Sequence, residues 1–283
     1  MTRTQNLSDN QKNKLKNKQK NSHSMRFIIA LIKLKLSRMM VFRLSFFGAF
    51  FVDGSMFLIQ LLLYQAIYAQ VDTIGGFSRG EMIIFIGTFS LINALNMILF
   101  FFGTNDIPNK IKSGELDHYL TKPVNPLLRI TFESVDPGSI PLAIASVILI
   151  LFGSMKLKVH VSFGTFLLYF LYVLLMTLLW YDLQVITRTI PFFTISATNI
   201  DRMSDTILEL CLKIPGTLFQ GIYKIFFYLI LPYGIMATLP TELLAGKLTL
   251  IGFLYGCLIV TVFTVFTLWF WNFGLRHYKS ASS

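Results

Sequence analysis

Six stretches of this chain are too long and too apolar to stay folded in water as single elements. Residues 44–69 hold one charge, Asp53, and residues 82–102, 138–155, 159–181 and 249–273 hold none. Residues 214–241 hold only Lys224. A bilayer core of about 30 Å takes roughly 20 helical residues to cross. No backbone amide can go unpaired in hydrocarbon, so each run must be a helix; the alternating pattern of a membrane barrel is absent. The expected fold is therefore all-α, a polytopic membrane protein with six spans. They fall at about 44–69, 82–102, 138–155, 159–181 or on to 193, 216–239 and 249–273. Composition agrees: 54% of residues are hydrophobic and 14% charged, where soluble domains carry about a quarter charged.

The formal net charge of +11 is almost wholly local. Residues 1–43 hold eleven Lys and Arg against one acid, Asp9. A basic tail beside an apolar body lies against anionic headgroups, at about 1 kcal/mol per charge, so membrane lipid is the expected partner and nucleic acid is not. Residues 1–24 are polar and low in complexity, which predicts a disordered cytoplasmic tail and no secretory signal. Residues 25–42 mix bulky apolar residues with Lys33, Lys35 and Arg38, the composition of an interfacial amphipathic helix. Residues 43–279 make up the transmembrane domain. With the N-terminus inside, the inner segments 1–43, 103–137, 182–213 and 274–283 carry twenty basic residues, and the outer segments carry four. Both termini are thus expected inside, in the cytoplasmic membrane. Cys211 and Cys257 are far apart, and His23, His118, His160 and His277 are scattered singly, so no metal site is expected.

Chemistry is missing where an enzyme would show it. A phosphate-binding loop needs GxxxxGK[ST]. The glycine spacing occurs at Gly75–Gly80 and Gly216–Gly221, but Glu81-Met82 and Ile222-Tyr223 follow. With no HExxH, GxSxG or CxxC either, no catalytic residue and no bound cofactor is expected. Uphill movement would need an ion gradient or another chain. Gly252 and Gly256 have the spacing that lets helices approach closely, within the chain or against a partner.

The loop between the second and third spans, 103–137, is unusually stiff and charged. Pro108 suits a first helical turn, and Ser113-Gly114 is a helix stop. Glu115 and Asp117 then open a second short piece, where acids favour the helix dipole. Leu116, Tyr119 and Leu120 make an apolar stripe, and Pro123, after Lys122, ends the element. These features suit either a helix that docks into a partner's groove or an ordinary capped connector. Within the spans, Asp53 costs a few kcal/mol at mid-membrane; it could line a pathway or reach water locally. Asn93 and Asn96 sit one turn apart and can join helices. Asp182 and Arg188 could pair, line a cavity or be solvated, depending on where the fourth helix ends.

The order GELDHYLTKPVNPL at 114–127 resembles the cytoplasmic loop of ABC-2 type transporter permeases. The similarity extends to Phe42-Arg43, GGFSRGEM at 75–82, LPYGIMATLPTELLAGK at 231–247 and WNFGLRHYKSA at 271–281. What the resemblance implies is a permease subunit of an ATP-binding cassette exporter. It would pair with a second permease, itself or a related chain, and be driven by a separate cytoplasmic ABC ATPase that uses ATP and Mg. The loop would be the coupling helix, with Ile111, Gly114, Glu115, Leu116, Asp117, Tyr119, Leu120, Lys122 and Pro123 at the contact. Residues 240–247 would form an outer re-entrant or loop region, and Asp53, Asn93, Asn96, Asp182 and Arg188 are candidates for the pathway. An ion-coupled secondary transporter would use Asp53 and Asp182 as ion sites and should show more intramembrane charge and an internal repeat; a non-transporting scaffold or immunity protein is the third reading.

Overall fold

The computed structural model of the protein describes residues 43–157, 161–194 and 214–278. The tail at 1–24, the interfacial helix expected at 25–42 and the stretch 195–213 lie outside the described residues. Within them the chain is all helix and turn, apart from one isolated bridge between Ile74 and Phe77.

Helix α1, Arg43–Ile67, leads to a tight reversal in which Gly75 and Gly76 take φ of 58° and 79°. Two successive left-handed residues form the turn that only glycine enters freely. Helix α2, Arg79–Asn96, starts on a capping box: the Ser78 amide donates to the Glu81 carboxylate at 2.7 Å. It continues through a π-turn, Met97–Phe101, into α3, Phe102–Asn105, and α4, Ile107–Ser113. The helical path Arg79–Ser113 covers 35 residues. At about 1.5 Å per residue this is roughly 50 Å, some 20 Å more than a bilayer core needs. The second span is therefore longer than a bilayer core requires and carries the loop on its end.

The loop holds α5, Asp117–Leu120, and α6, Pro126–Glu133. Asn125 caps α6 by accepting from the Leu127 amide at 2.9 Å. Helix α7, Ile140–Met155, returns across the membrane, and α8, Phe163–Thr189, follows with a 3-10 turn at Ile190–Phe192. The fourth helix thus takes the longer of its two expected endings, because the polar residues beyond Tyr181 are buried against protein and not in solvent. Helix α12, Leu250–His277, closes the described chain.

Between α8 and α12 the structure departs from expectation. A straight fifth span over 216–239 does not form. Helix α9, Gly221–Ile225, with its π-turn to Ile230, breaks before α10, Tyr233–Met236, and α11, Thr238–Leu244. The two halves are bent by 78°. Pro232 is the cause: the residue before a proline is excluded from helical backbone, and Leu231 sits at φ −122°, ψ 83°. Both ends of this bent pair touch one turn. A Cβ on Gly75 would press on Thr217 and Leu218, and Lys247 donates to the Gly76 carbonyl at 3.0 Å. The segment enters and leaves on the same side, as a re-entrant hairpin wider than the expected 240–247.

Polar residues face in and apolar residues face out. Thr88, Ser90, Asn96, Ser146, Thr177, Asp182, Gln184 and Arg188 are buried, whereas Ile144, Ile148, Leu171, Leu254 and Leu258 are exposed. That is the arrangement hydrocarbon imposes, since apolar burial gives no drive between helices there and packing and hydrogen bonds must do the joining. Gly87 and Gly153 let α2 and α7 approach, with the Ser90 and Ser146 hydroxyls 2.6 Å apart. The Thr88 and Tyr169 hydroxyls join α2 to α8 at 2.7 Å.

Candidate functional site

The segments connecting the helices gather at two opposite ends. One end, the loop rim, carries 103–137, the C-terminal end of α8 and the C-terminal end of α12. The other, the turn rim, carries the Ile74–Phe77 turn, Lys156 and Lys247.

At the loop rim, α4 stops because Gly114 turns left-handed at φ 76°. The Leu116 amide reaches back to the Lys110 carbonyl at 3.1 Å, folding α5 beneath α4. Ile107, Ile111, Leu116, Tyr119, Leu127 and Ile130 then form a second core with Tyr181 and Val185 of α8 and Trp271 of α12. Lys110 bridges Asp106 at 2.7 Å and Glu115 at 3.3 Å. The Tyr119 ring lies between Lys110 and Arg129, whose charges sit 5.2 Å and 4.7 Å from its centroid. Burial pushes the Tyr119 phenol up.

This arrangement corrects the docking stripe expected from sequence. Ile111, Leu116 and Tyr119 are buried in the protein's own core, and Leu120 is 41% exposed. The surface offered outward is Lys112, Ser113, Glu115, His118, Leu120, Thr121, Lys122 and Pro123, with Gly114 and Asp117 half-buried between them. It is polar and charged, with Leu120 as its apolar contact. The stripe was read correctly as a helix face, but its other side was already taken by α8, which no local pattern reveals.

The intramembrane polar residues are drawn onto neighbouring helices. Asp182 accepts from Thr264 of α12 at 2.6 Å, and Thr267 donates to the Asp182 carbonyl at 3.3 Å. Arg188 is 2% exposed; its guanidinium donates to Thr104 and, at 3.3 Å, to Asn105, and lies 5.5 Å from the Phe101 ring centroid. Six residues apart on one helix, Asp182 and Arg188 face different neighbours: Asp182 holds the last helix, Arg188 holds the loop end of the second. Asn96 is 1% exposed, with a carboxamide oxygen that has no partner among the described residues, while Asn93 is half-buried. Asp53 falls within α1, and its side chain lies outside the described residues. Of the glycine pair, a Cβ on Gly256 would run into the Tyr172 hydroxyl of α8, whereas Gly252 donates to its own helix cap, Thr249, at 3.1 Å. Only Gly256 is a contact between helices of the described chain.

Sequence reasoning missed the clamp at the turn rim. Lys247 Nζ lies 2.7 Å from Glu81 Oε1 and 2.8 Å from Oε2, and the Glu81 side chain is 6% exposed. The SxxE signature of a capping box at Ser78–Glu81 was legible, but a partner 166 positions away was not.

Long apolar helices with a polar interior, a loop layer at one end and a hairpin that dips back on one side define a polytopic membrane transport subunit. The chain matches the family model described as ABC-2 family transporter protein over residues 55–282, and it belongs to that family. No curated protein sequence and no solved structure matches it. The protein is accordingly a membrane permease component of an ABC transporter, and the family implies association with an ABC ATPase subunit.

Proposed function

We propose that this chain is the permease of an exporter, with the loop rim facing the cytosol and seated on a separate nucleotide-binding subunit. The observation that carries the reading is the construction of that rim. A helical path runs about 20 Å longer than a bilayer core needs. Its end is locked to α8 through Arg188 and the second core, and a charged face around Glu115 and Lys122 is left outward. A push on that face would travel through α8 to α12 by way of Asp182 and Thr264. ATP and Mg would act on the partner. A second permease, identical or related, would complete the pathway, and the basic residues Lys110, Lys112, Lys122, Arg129 and Arg276 at the loop rim, against Arg79, Lys156 and Lys247 at the turn rim, support the orientation.

The test is co-purification. The tagged chain should bring down a soluble protein with a Walker A motif, and the complex should hydrolyse ATP. A His118→Cys variant with Cys211 and Cys257 replaced by Ser should react with a membrane-impermeant thiol reagent only after the cells are opened. Labelling of intact cells, or full transport by the purified chain alone in liposomes, would overturn the proposal.

A further inference from the structure

A groove of about 340 Å³ opens on the lipid-facing side at the turn rim, between α1, α2 and α7. This is within the range of ordinary ligand pockets, which begin at roughly 300 Å³. Its walls repeat at helical spacing on all three elements: Leu58 and Leu62 on α1, Ile83 and Ile86 on α2, Leu149 and Phe152 on α7. All six are apolar, with Tyr64 and Gln65 of α1 and Tyr68 just past its end also on the lining, and Leu58, Leu62 and Phe152 are 57%, 57% and 49% exposed.

The mouth is different. Arg79, the first residue of α2, and Lys156, just past the end of α7, both line it. The two come from adjacent backbone, since a Cβ on Gly80 would sit 3.3 Å from the Lys156 Cβ. Lys156 Nζ lies 4.4 Å from the Phe152 ring centroid, above the apolar wall. No carboxylate lines the groove. The neighbouring acid, Glu81, is already held by Lys247, and no ion pair forms on Arg79 or Lys156 among the described residues. Two cations therefore stand at the mouth with no carboxylate paired to them among the described residues, over a slot about 10 Å deep from Arg79 to Ile86.

We infer that this groove binds one anionic phospholipid of the adjoining leaflet, its phosphate between Arg79 and Lys156 and an acyl chain along the slot. Arg and Lys pair with phosphate by charge-assisted hydrogen bonds, and basic pockets between membrane helices take lipid headgroups. A free anion would satisfy the cations but leave the slot unfilled, and a zwitterionic lipid would bring its own cation to a mouth that already has two. The inference needs only that α1, α2 and α7 face lipid, so it stands whichever rim is cytoplasmic.

The test uses the full chain in nanodiscs of equal phosphatidylglycerol and phosphatidylcholine, released into native mass spectrometry. One phosphatidylglycerol per chain should be retained. The Arg79→Gln/Lys156→Gln pair should lower its retention relative to phosphatidylcholine by about tenfold or more, whereas Arg79→Lys/Lys156→Arg should keep it and report that the fold survives. Ile83→Trp, which fills the slot and spares both cations, should also expel the lipid. Equal retention of the two lipids, an adduct untouched by the double Gln change, or displacement by glycerol 3-phosphate would overturn the inference. So would a disulfide between two copies of a Leu62→Cys variant, which would make the groove a subunit contact.

Discussion

At the loop rim the apolar side chains are innermost and the charges lie outside them: Leu116 and Val185 are wholly buried, while Lys110 meets Asp106 and Glu115 at the surface. At the turn rim the order is reversed. The Glu81 carboxylate is inside, and Lys247 covers it. The first construction resists deformation, because a close-packed core transmits displacement and does not absorb it. The second depends on one buried carboxylate, so removing Lys247 leaves Glu81 stranded. The rim proposed to receive force from an ATPase is thus the stiff one, and the rim that closes the opposite side can be loosened at a single residue, Lys247.

The comparison breaks most completely if the stiff rim loses its keystone. Leu116→Ala should cost about 2–5 kcal/mol, the usual price of emptying a buried leucine site, and should lower the thermal midpoint in detergent. A Leu120→Ala control, at an exposed position, should leave the midpoint almost unchanged. Equal effects from the two would mean that α5 does not pack as described.

Lys247→Ala comes next. It leaves the Glu81 carboxylate buried, with only the Ser78 amide and hydroxyl at 2.7 and 3.0 Å for partners. An unsatisfied buried group costs about 1–3 kcal/mol, and Glu81→Gln/Lys247→Ala should recover part of the loss. A midpoint unchanged by Lys247→Ala would contradict the burial of the carboxylate. Gly114→Ala follows at about 1–2 kcal/mol, the cost of holding a side chain in left-handed backbone, read from the same midpoint.

How far the sequence alone reaches is clear from these same residues. Helical spans and the stop at Gly114 depend on neighbours a few positions away, and local pattern finds them; the capping pair at Ser78 and Glu81 is just as local but was not read. The bend at Pro232 was written in LPYG as well, but hydropathy averaged across it read a straight span. Leu116, Tyr119, Asp182 and Arg188 are different in kind. Their types said that each needed a partner or a burial site, while the choice among docking, lining and packing was made by α8, α12 and Thr104, far along the chain. The Lys247–Glu81 contact had no local signal at all.

The smallest effect on stability is also the sharpest test of the stiff rim's role. Glu115 is exposed and bonded to Lys110 at 3.3 Å, and a surface pair of this kind contributes about 0–1 kcal/mol. Lys110 also keeps its shorter contact with Asp106 at 2.7 Å, so Glu115→Lys should hardly move the thermal midpoint. If the charged face is where an ATPase sits, the same change should nonetheless abolish stimulated ATP hydrolysis in the complex, because a reversed charge at a docking surface repels a partner that the fold itself does not feel. Glu133→Lys provides the contrast. It breaks the Arg129–Glu133 pair at 3.6 Å on α6, a half-buried contact beside Tyr119 and not part of the outward face, and should leave hydrolysis intact. Stimulation surviving Glu115→Lys, or failing equally in both variants, would detach the stiffness of the rim from any coupling role.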